Sequence, residues 1–154
     1  MIVHTDSFRY WWEVAERGEY SFLFDKLRVL DLGCNVGAFS LWIYPHTTQI
    51  WAVDMENKYL DIFRQTIKDN QMTGITLLQD RVQDLQNFMS GHAITNLDVL
   101  KIDIEGDEYE VFSKDIPKIP TIVGEYHGES IEPMLVRQGY RYFELPNKHF
   151  IARL

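Results

Sequence analysis

Short apolar runs alternate with stretches of helical periodicity along most of the chain. Continuous apolar runs, which are typical of strands buried in a parallel sheet, occupy residues 29–32, 49–53, 75–78, 97–104 and 121–125. Between these runs, apolar residues recur at helical spacing, as Leu60, Phe63 and Ile67 do within residues 57–70. The alternation predicts an α/β fold in which helices connect parallel strands.

The C-terminal residues change to a hairpin pattern. Two apolar stretches, 140–145 and 150–154, flank Pro146 and Asn147, a pair that is typical of a turn. Five strands followed by this hairpin predict a mostly parallel seven-stranded sheet with an antiparallel end and helices on both faces. We expect residues 28–154 to form one compact domain.

Residues 1–27 carry an aromatic pattern of their own. Asp6 or Ser7 can cap a segment in which Phe8, Trp11 and Trp12 lie on one side of a helix. This pattern predicts a helical cover, which either packs over the edge of the core or closes as a lid over a ligand.

The same terminus lacks the basic and apolar regions of a signal peptide. No apolar run in the chain reaches the roughly 18–20 residues of a membrane span. We therefore expect a cytoplasmic protein that has no membrane partner.

Composition and charge exclude several other classes. The 154 residues are 45% hydrophobic, which favours a globular chain over a disordered one. A net charge of −8 and the lack of a long basic run argue against a nucleic-acid partner. Cys34 is the single cysteine, which excludes an internal disulfide and a cysteine-built zinc site.

A glycine-rich turn follows the first apolar run. It reads Gly33-Cys34-Asn35-Val36-Gly37, and a helical pattern continues from Ala38. Glycine lets the backbone turn tightly, and Asn35 tolerates positive φ better than most residues. We expect the backbone N–H groups of the turn and the N-terminus of the helix to face a ligand.

Two cofactor classes use turns of this kind. With Asp31 as the preceding acid, the turn resembles motif I of class I S-adenosylmethionine (SAM) methyltransferases, which have the Rossmann-like fold. Nicotinamide-dependent oxidoreductases use a near relative of the same turn, so both classes stay open at this point.

Acidic residues follow nearly every predicted strand. Ligands of open α/β sheets bind beyond the carboxyl ends of the strands, so side chains at those positions are candidates for the site. They are Asp54 after the second strand, Asp80 after the third, Asp103 and Glu105 after the fourth, and Glu125 and His127 after the fifth.

The spacing assigns roles to two of these acids. Asp54 lies about 20 residues beyond the turn, where a carboxylate accepts hydrogen bonds from the ribose hydroxyls of an adenosine cofactor. Asp80, with the adjoining Arg81, is placed to meet the adenine amino group. The alternatives for Asp54 are a helix cap and, if the strand runs longer, Glu56 as the ribose acid. The alternative for Asp80 is a cap on a helix beginning at Val82.

Residues 98–112, DVLKIDIEGDEYEVF, make the resemblance more specific. The pattern Asp-x-x-Lys-Ile-Asp-x-Glu-Gly-x-Glu resembles the hallmark of FkbM-type methyltransferases, and residues 123–127, VGEYH, resemble the fifth strand of that family. The resemblance extends from about residue 29 to residue 153. The chain departs from the family in its brevity and in having Asp54-Met55 where Glu-Pro is usual.

The resemblance implies SAM as methyl donor, S-adenosylhomocysteine (SAH) as product, and O-methylation of a small molecule or glycan. It implies a cofactor loop made of Asp31, Gly33, Cys34, Asn35 and Gly37, and a ribose contact at Asp54 and Met55. It also implies a cluster around the transferred methyl, made of Lys101, Asp103, Glu105, Glu125 and His127.

Transfer to a hydroxyl requires removal of its proton, and His127, Glu125 and Glu105 are the candidate bases. His127 has the intrinsic pKa best suited to the task. Asp103 is placed to hold the amino group or sulfonium side of SAM. Alternatively, Asp103, Glu125 and His127 hold Mg²⁺ or Mn²⁺, which would acidify the acceptor hydroxyl.

Lys101 lies within a predicted buried strand, so we expect its ammonium group to pair with Asp103 or Glu105. The remaining histidines, His4, His46, His92 and His149, show no ligand spacing. The rival function is a SAM-binding module with reduced catalysis that needs a partner subunit for its acceptor site. A second copy of the chain is one such partner.

Overall fold

The computed structural model describes residues 26–154, so the predicted aromatic cover lies almost wholly outside the described residues. The chain divides into two compact units, one ending at Asp80 and the other spanning Arg81–Leu154. No helix within residues 26–154 is long and apolar enough to cross a membrane.

Within residues 26–80, the first unit contains three parallel strands and two α-helices. They are β1 (Leu27–Leu32), α1 (Ala38–Ile43), β2 (Thr47–Asp54), α2 (Asn57–Asp69) and β3 (Ile75–Gln79). Strand β2 pairs in parallel with both β1 and β3. Helix α2 buries Leu60, Phe63 and Thr66, so the predicted apolar spacing marks its inner face except at Ile67, which is half-buried.

The second unit contains the other four strands. Its elements are α3 (Leu85–Gly91), β4 (Val99–Ile102), α4 (Glu108–Ser113), β5 (Thr121–Glu125), α5 (Glu132–Arg137), β6 (Arg141–Glu144) and β7 (His149–Arg153). Strands β4 and β5 pair in parallel, and β7 pairs antiparallel with β5 and with β6.

The seven strands form one sheet in the order β3-β2-β1-β4-β5-β7-β6. The predicted α/β class, the seven strands and the antiparallel C-terminal hairpin are therefore confirmed. The apolar runs succeeded as predictors because β1 and β4 are buried almost throughout, as strands of a covered parallel sheet are.

Two of the predicted boundaries that differ from the structure have a local cause. The third helix begins at Leu85 and not at Val82, because Asp84 forms its N-cap and accepts a hydrogen bond from the backbone N of Asn87 at 2.9 Å. Asp80 therefore caps no helix. Strand β4 ends at Ile102 and not at residue 104, because the backbone enters the positive-φ region at Glu105.

Gly37 is required by packing. Its φ is +87°, and a Cβ built at this position would lie 2.5 Å from the ring of Phe63 on α2. The second glycine of the turn therefore allows the start of α1 to approach α2 closely.

Gly124 of β5 is required by a close approach within the second unit, one residue before Glu125. A Cβ at this position would overlap the carbonyl oxygen of Ile102, its partner on β4. We expect Gly124→Ala to lower the free energy of unfolding by about 1–3 kcal/mol, because the two strands must separate to admit the methyl group. Urea denaturation measures the change.

Gly91→Ala is the matched control, because a Cβ there would meet no atom within 4 Å. We expect it to be neutral or to stabilise the protein by about 0.4–1 kcal/mol. Equal stability of Gly124→Ala and the unsubstituted protein would contradict the close packing of β4 against β5.

Candidate functional site

The glycine-rich turn uses its backbone N–H groups inside the protein. The N–H groups of Gly33 and Cys34 both donate to the carbonyl of Val53, each at 2.9 Å. The N–H of Gly37 donates to the carbonyl of Cys34 at 2.8 Å, which closes the turn. Gly33 and Asn35 have φ values of 72° and 50°, so the positive φ expected of Asn35 is present.

Two side chains accept hydrogen bonds from the remaining N–H groups of the turn. The N–H of Asn35 donates to Oδ2 of Asp54 at 2.8 Å, and the N–H of Val36 donates to Oδ1 of Asn35 at 2.7 Å. All five N–H groups of residues 33–37 thus have acceptors within the first unit. These N–H groups are therefore occupied within the protein, and the role of the turn as a cofactor loop stays a prediction.

Asp54 organises this turn. Its Oδ1 accepts from the N–H of Glu56 at 2.8 Å, while Oδ2 binds Asn35 as described. It caps no helix, since α2 begins at Asn57 after Glu56 and has no side-chain cap. An ionised carboxylate has about four acceptor positions, so Asp54 can bind two backbone N–H groups and still accept from ribose hydroxyls.

The other candidates near this turn have varied surroundings. Asp31 is fully buried, and its Oδ2 accepts from the hydroxyl of Ser40 on α1 at 2.6 Å. Cys34 is buried. Met55 is 55% exposed, and Asp80 is exposed with its N–H bound to the carbonyl of Asp54.

Arg81 belongs to the second unit and lies against Asp107. Its Nε and one terminal nitrogen bind the two carboxylate oxygens of Asp107 at 2.6 and 2.9 Å. These hydrogen bonds lower the pKa of Asp107. Arg81 therefore has a bidentate partner, Asp107 of the hallmark segment. The sequence did not predict this pair.

The centre of the second unit's site is Glu108, the first residue of α4, whose side chain is fully buried. Its Oε1 accepts from the N–H of Ile104 at 2.8 Å, and its Oε2 accepts from the N–H of Gly106 at 2.9 Å. The positive φ values of Glu105 (53°) and Gly106 (107°) curl this loop around the carboxylate.

The same carboxylate holds His127. Nδ1 of the imidazole lies 3.1 Å from Oε1 of Glu108, and the backbone N–H of His127 donates to Oε2 at 3.4 Å. Nε2 lies on the other side of the ring, 3.6 Å from Oε2 of Glu105 and 3.8 Å from Oε1 of Glu125. Of the predicted cluster, Glu105, Glu125 and His127 are thus neighbours.

Asp103 completes this acid–histidine cluster, which we define as Asp103, Glu105, Glu125 and His127. One ligand atom each from Asp103, Glu125 and His127 lies within 4.8 Å of the other two. Lys101 is buried on β4 with Nζ 3.9 Å from Oδ2 of Asp103, so its predicted pairing is present.

The pKa of His127 is raised above its usual value of 6.5. Burial lowers this pKa, but the hydrogen bond to Glu108 and the charges of Glu108, Asp103 and Glu105 outweigh that effect. The neighbouring carboxylates therefore strengthen the imidazole as a base.

Sequence reasoning missed two residues here. Glu108 is the last acid of the hallmark pattern, and that position was the signal that could have marked it. His149 on β7 pairs with Glu125 across the sheet, and its Nε2 lies 3.6 Å from Oε2 of Glu125. The sequence showed no ligand spacing for His149, and the register of the hairpin, rather than spacing along the chain, brings it beside Glu125.

The single sheet with its antiparallel end is the Rossmann-like architecture of class I methyltransferases. The family model described as "Methyltransferase FkbM domain" matches residues 21–142. The chain therefore belongs to the FkbM methyltransferase family. No curated protein matches it in sequence at a significant level.

Solved structures show the same fold at low identity. A precorrin-6y C5,15-methyltransferase from Geobacter metallireducens has a TM-score of 0.65 at 16% identity, over 86% of this chain and 84% of that one. TrmK of M. capricolum, in complex with SAH, has a TM-score of 0.64 at 17% identity, over 97% and 68% of the two chains. Fibrillarin from Aeropyrum pernix, with SAM bound, has a TM-score of 0.64 at 11% identity, over 84% and 66%.

The raised pKa of His127 gives a prediction on pH. We expect its imidazole to titrate above 6.5 in an NMR titration of the metal-free protein in EDTA. A raised folded-state pKa means that protonation stabilises the fold below the unfolded-state pKa. This contribution is lost as the pH rises through the folded-state pKa. A midpoint at or below 6.5 would contradict the carboxylate environment described above.

Proposed function

We propose that the chain transfers the methyl group of SAM to a hydroxyl group of a small molecule or glycan. The observation that carries the proposal is the acid–histidine cluster, in which Nε2 of His127 lies among carboxylates. Because the family model spans the glycine-rich turn as well as the whole acid–histidine cluster, we assign both to one reaction.

The surroundings of the turn fit SAM better than a dinucleotide. A pyrophosphate needs backbone N–H donors, and those of residues 33–37 are already bound within the protein. SAM carries an ammonium group and ribose hydroxyls, which donate hydrogen bonds, and the carboxylate of Asp54 is an acceptor beside the turn. TrmK and fibrillarin, with SAH and SAM bound, support this cofactor.

SAM supplies an activated methyl group, so the protein must align donor and acceptor and remove the acceptor's proton. Nε2 of His127 is the proton-accepting atom in this proposal, and Glu105 and Glu125 stabilise the imidazolium that forms. Asp103 contributes further negative charge near the site, which favours a sulfonium cation. A proton-accepting cluster is needed for a hydroxyl acceptor, which is why we place the methyl group on oxygen.

Binding of SAH, measured by isothermal titration calorimetry, tests the cofactor assignment. We expect Asp54→Ala to weaken SAH binding by about 10- to 100-fold, the range for losing hydrogen bonds to a charged group. Asp61→Ala is the matched control, because Asp61 is an exposed carboxylate on α2 that pairs with Arg64 in the same unit.

Asp54 also holds the turn, so a second ligand separates its two roles. We expect 2′-deoxy SAH to bind the unsubstituted protein less tightly than SAH, and Asp54→Ala to bind the two ligands equally. If Asp54→Ala still distinguishes them, the carboxylate supports the turn without contacting the 2′-hydroxyl. If the folded, unsubstituted protein binds no SAH, the cofactor assignment fails.

A divalent cation is the alternative means of activating a hydroxyl at this cluster. The donor set of Asp103, Glu125 and His127 fits such an ion, and its imidazole favours Mn²⁺ over Mg²⁺. A bound cation would lower the pKa of an acceptor hydroxyl.

Titration with Mn²⁺, followed by electron paramagnetic resonance, distinguishes the two mechanisms. Since an imidazole base needs no cation, we expect no specific Mn²⁺ site of micromolar affinity. Such a site in the unsubstituted protein, lost in Asp103→Asn and kept in Asp98→Asn, would contradict the base mechanism and support the cation.

A further inference from the structure

We propose that Glu108 is a positioning residue that fixes the neutral imidazole of His127 as the tautomer protonated on Nδ1. This leaves the lone pair on Nε2, the ring nitrogen that faces Glu105 and Glu125. The inference deepens the proposed function and rests on it, because that lone pair is what either a general base or a metal ligand requires.

The contacts of Glu108 determine the tautomer. Its two oxygens accept from the backbone N–H groups of Ile104, Gly106 and His127, and these groups can only donate. In the fourth contact, Oε1 lies 3.1 Å from Nδ1 of His127, and we take this oxygen as the acceptor there too. An ionised carboxylate has no hydrogen to give, so the hydrogen of this contact belongs to Nδ1.

The burial of Glu108 makes this arrangement obligatory. Its side chain is fully buried, and a buried carboxylate left without hydrogen-bond donors is strongly destabilising. Losing any one of its four hydrogen-bond donors would therefore destabilise the fold. The loop at residues 104–106 and the backbone of His127 supply the other donors, so Glu108 fixes the position of the ring as well as its tautomer.

An amide at this position would reverse the tautomer. If the amide oxygen replaces Oε2, it accepts from Gly106 and His127, and the amide nitrogen opposes only the N–H of Ile104. In the opposite orientation the amide nitrogen opposes two backbone N–H groups. The first orientation has fewer donor–donor clashes, and it points an N–H at Nδ1, which moves the ring hydrogen to Nε2.

The test is NMR of protein labelled with [¹⁵N]histidine at about pH 9, where the imidazole is neutral. The unprotonated ring nitrogen resonates far downfield of the protonated one, so the spectrum identifies the tautomer. Comparison with His127→Gln assigns the signals of His127. We expect the Nδ1–H tautomer in the unsubstituted protein and the Nε2–H tautomer in Glu108→Gln.

Glu110→Gln is the matched control. Glu110 lies on the same helix, is exposed and pairs with Lys114, so its replacement should leave the His127 signals unchanged. An Nε2–H tautomer in the unsubstituted protein would overturn the proposal, even if Glu108→Gln failed to fold. Retention of the Nδ1–H tautomer in folded Glu108→Gln would also overturn it.

The experiment separates this inference from the proposed function. The NMR spectrum requires neither SAM nor an acceptor, so it reports on Glu108 even if SAH fails to bind. We expect the SAH affinity of Glu108→Gln to stay within about threefold of the unsubstituted protein, since Glu108 acts through His127. A folded Glu108→Gln that lost SAH affinity would contradict a role that acts only through His127.

Discussion

The buried carboxylate of Glu108 is the interaction on which the candidate site depends. A charge in the interior is tolerated only when hydrogen bonds replace its water, and here three backbone N–H groups and one imidazole do so. The carboxylate and the loop that surrounds it depend on each other. The carboxylate needs the curled loop at residues 104–106, and that loop, with positive φ at Glu105 and Gly106, has its N–H groups satisfied by the carboxylate.

The first unit solves a similar problem with Asp54. Its carboxylate accepts from the N–H of Asn35 in the turn and from the N–H of Glu56 before α2. The turn is therefore held in shape by groups of the protein itself. Such a turn offers a ligand the acceptor positions of Asp54 rather than backbone donors, which suits the ribose hydroxyls of the proposed cofactor better than a pyrophosphate.

The sequence predicted the fold well because the strands are continuous apolar runs and the helices have an apolar face, and both signals are local. It also placed Asp103, Glu105, Glu125 and His127 at strand ends, where topology alone brings them together. The sequence did not reveal the contacts that depend on the detailed geometry of hydrogen bonds and strand register. The N–H groups of the turn are consumed by Val53, Asp54 and local contacts, and His149 reaches Glu125 through the register of an antiparallel hairpin, which spacing along the chain does not reveal.

The negative charge around His127 has two opposing effects on its use as a base. Carboxylates from α4, from the loop after β4 and from β5 surround one imidazole, and those of α4 and of the loop raise its pKa. A higher pKa makes Nε2 a stronger base, but it also increases the fraction of the ring that is already protonated near neutral pH. The same negative charge favours a sulfonium cation nearby. In the proposed reaction, the sulfonium of SAM opposes protonation of the ring, so cofactor binding would return His127 toward the neutral form that can accept a proton.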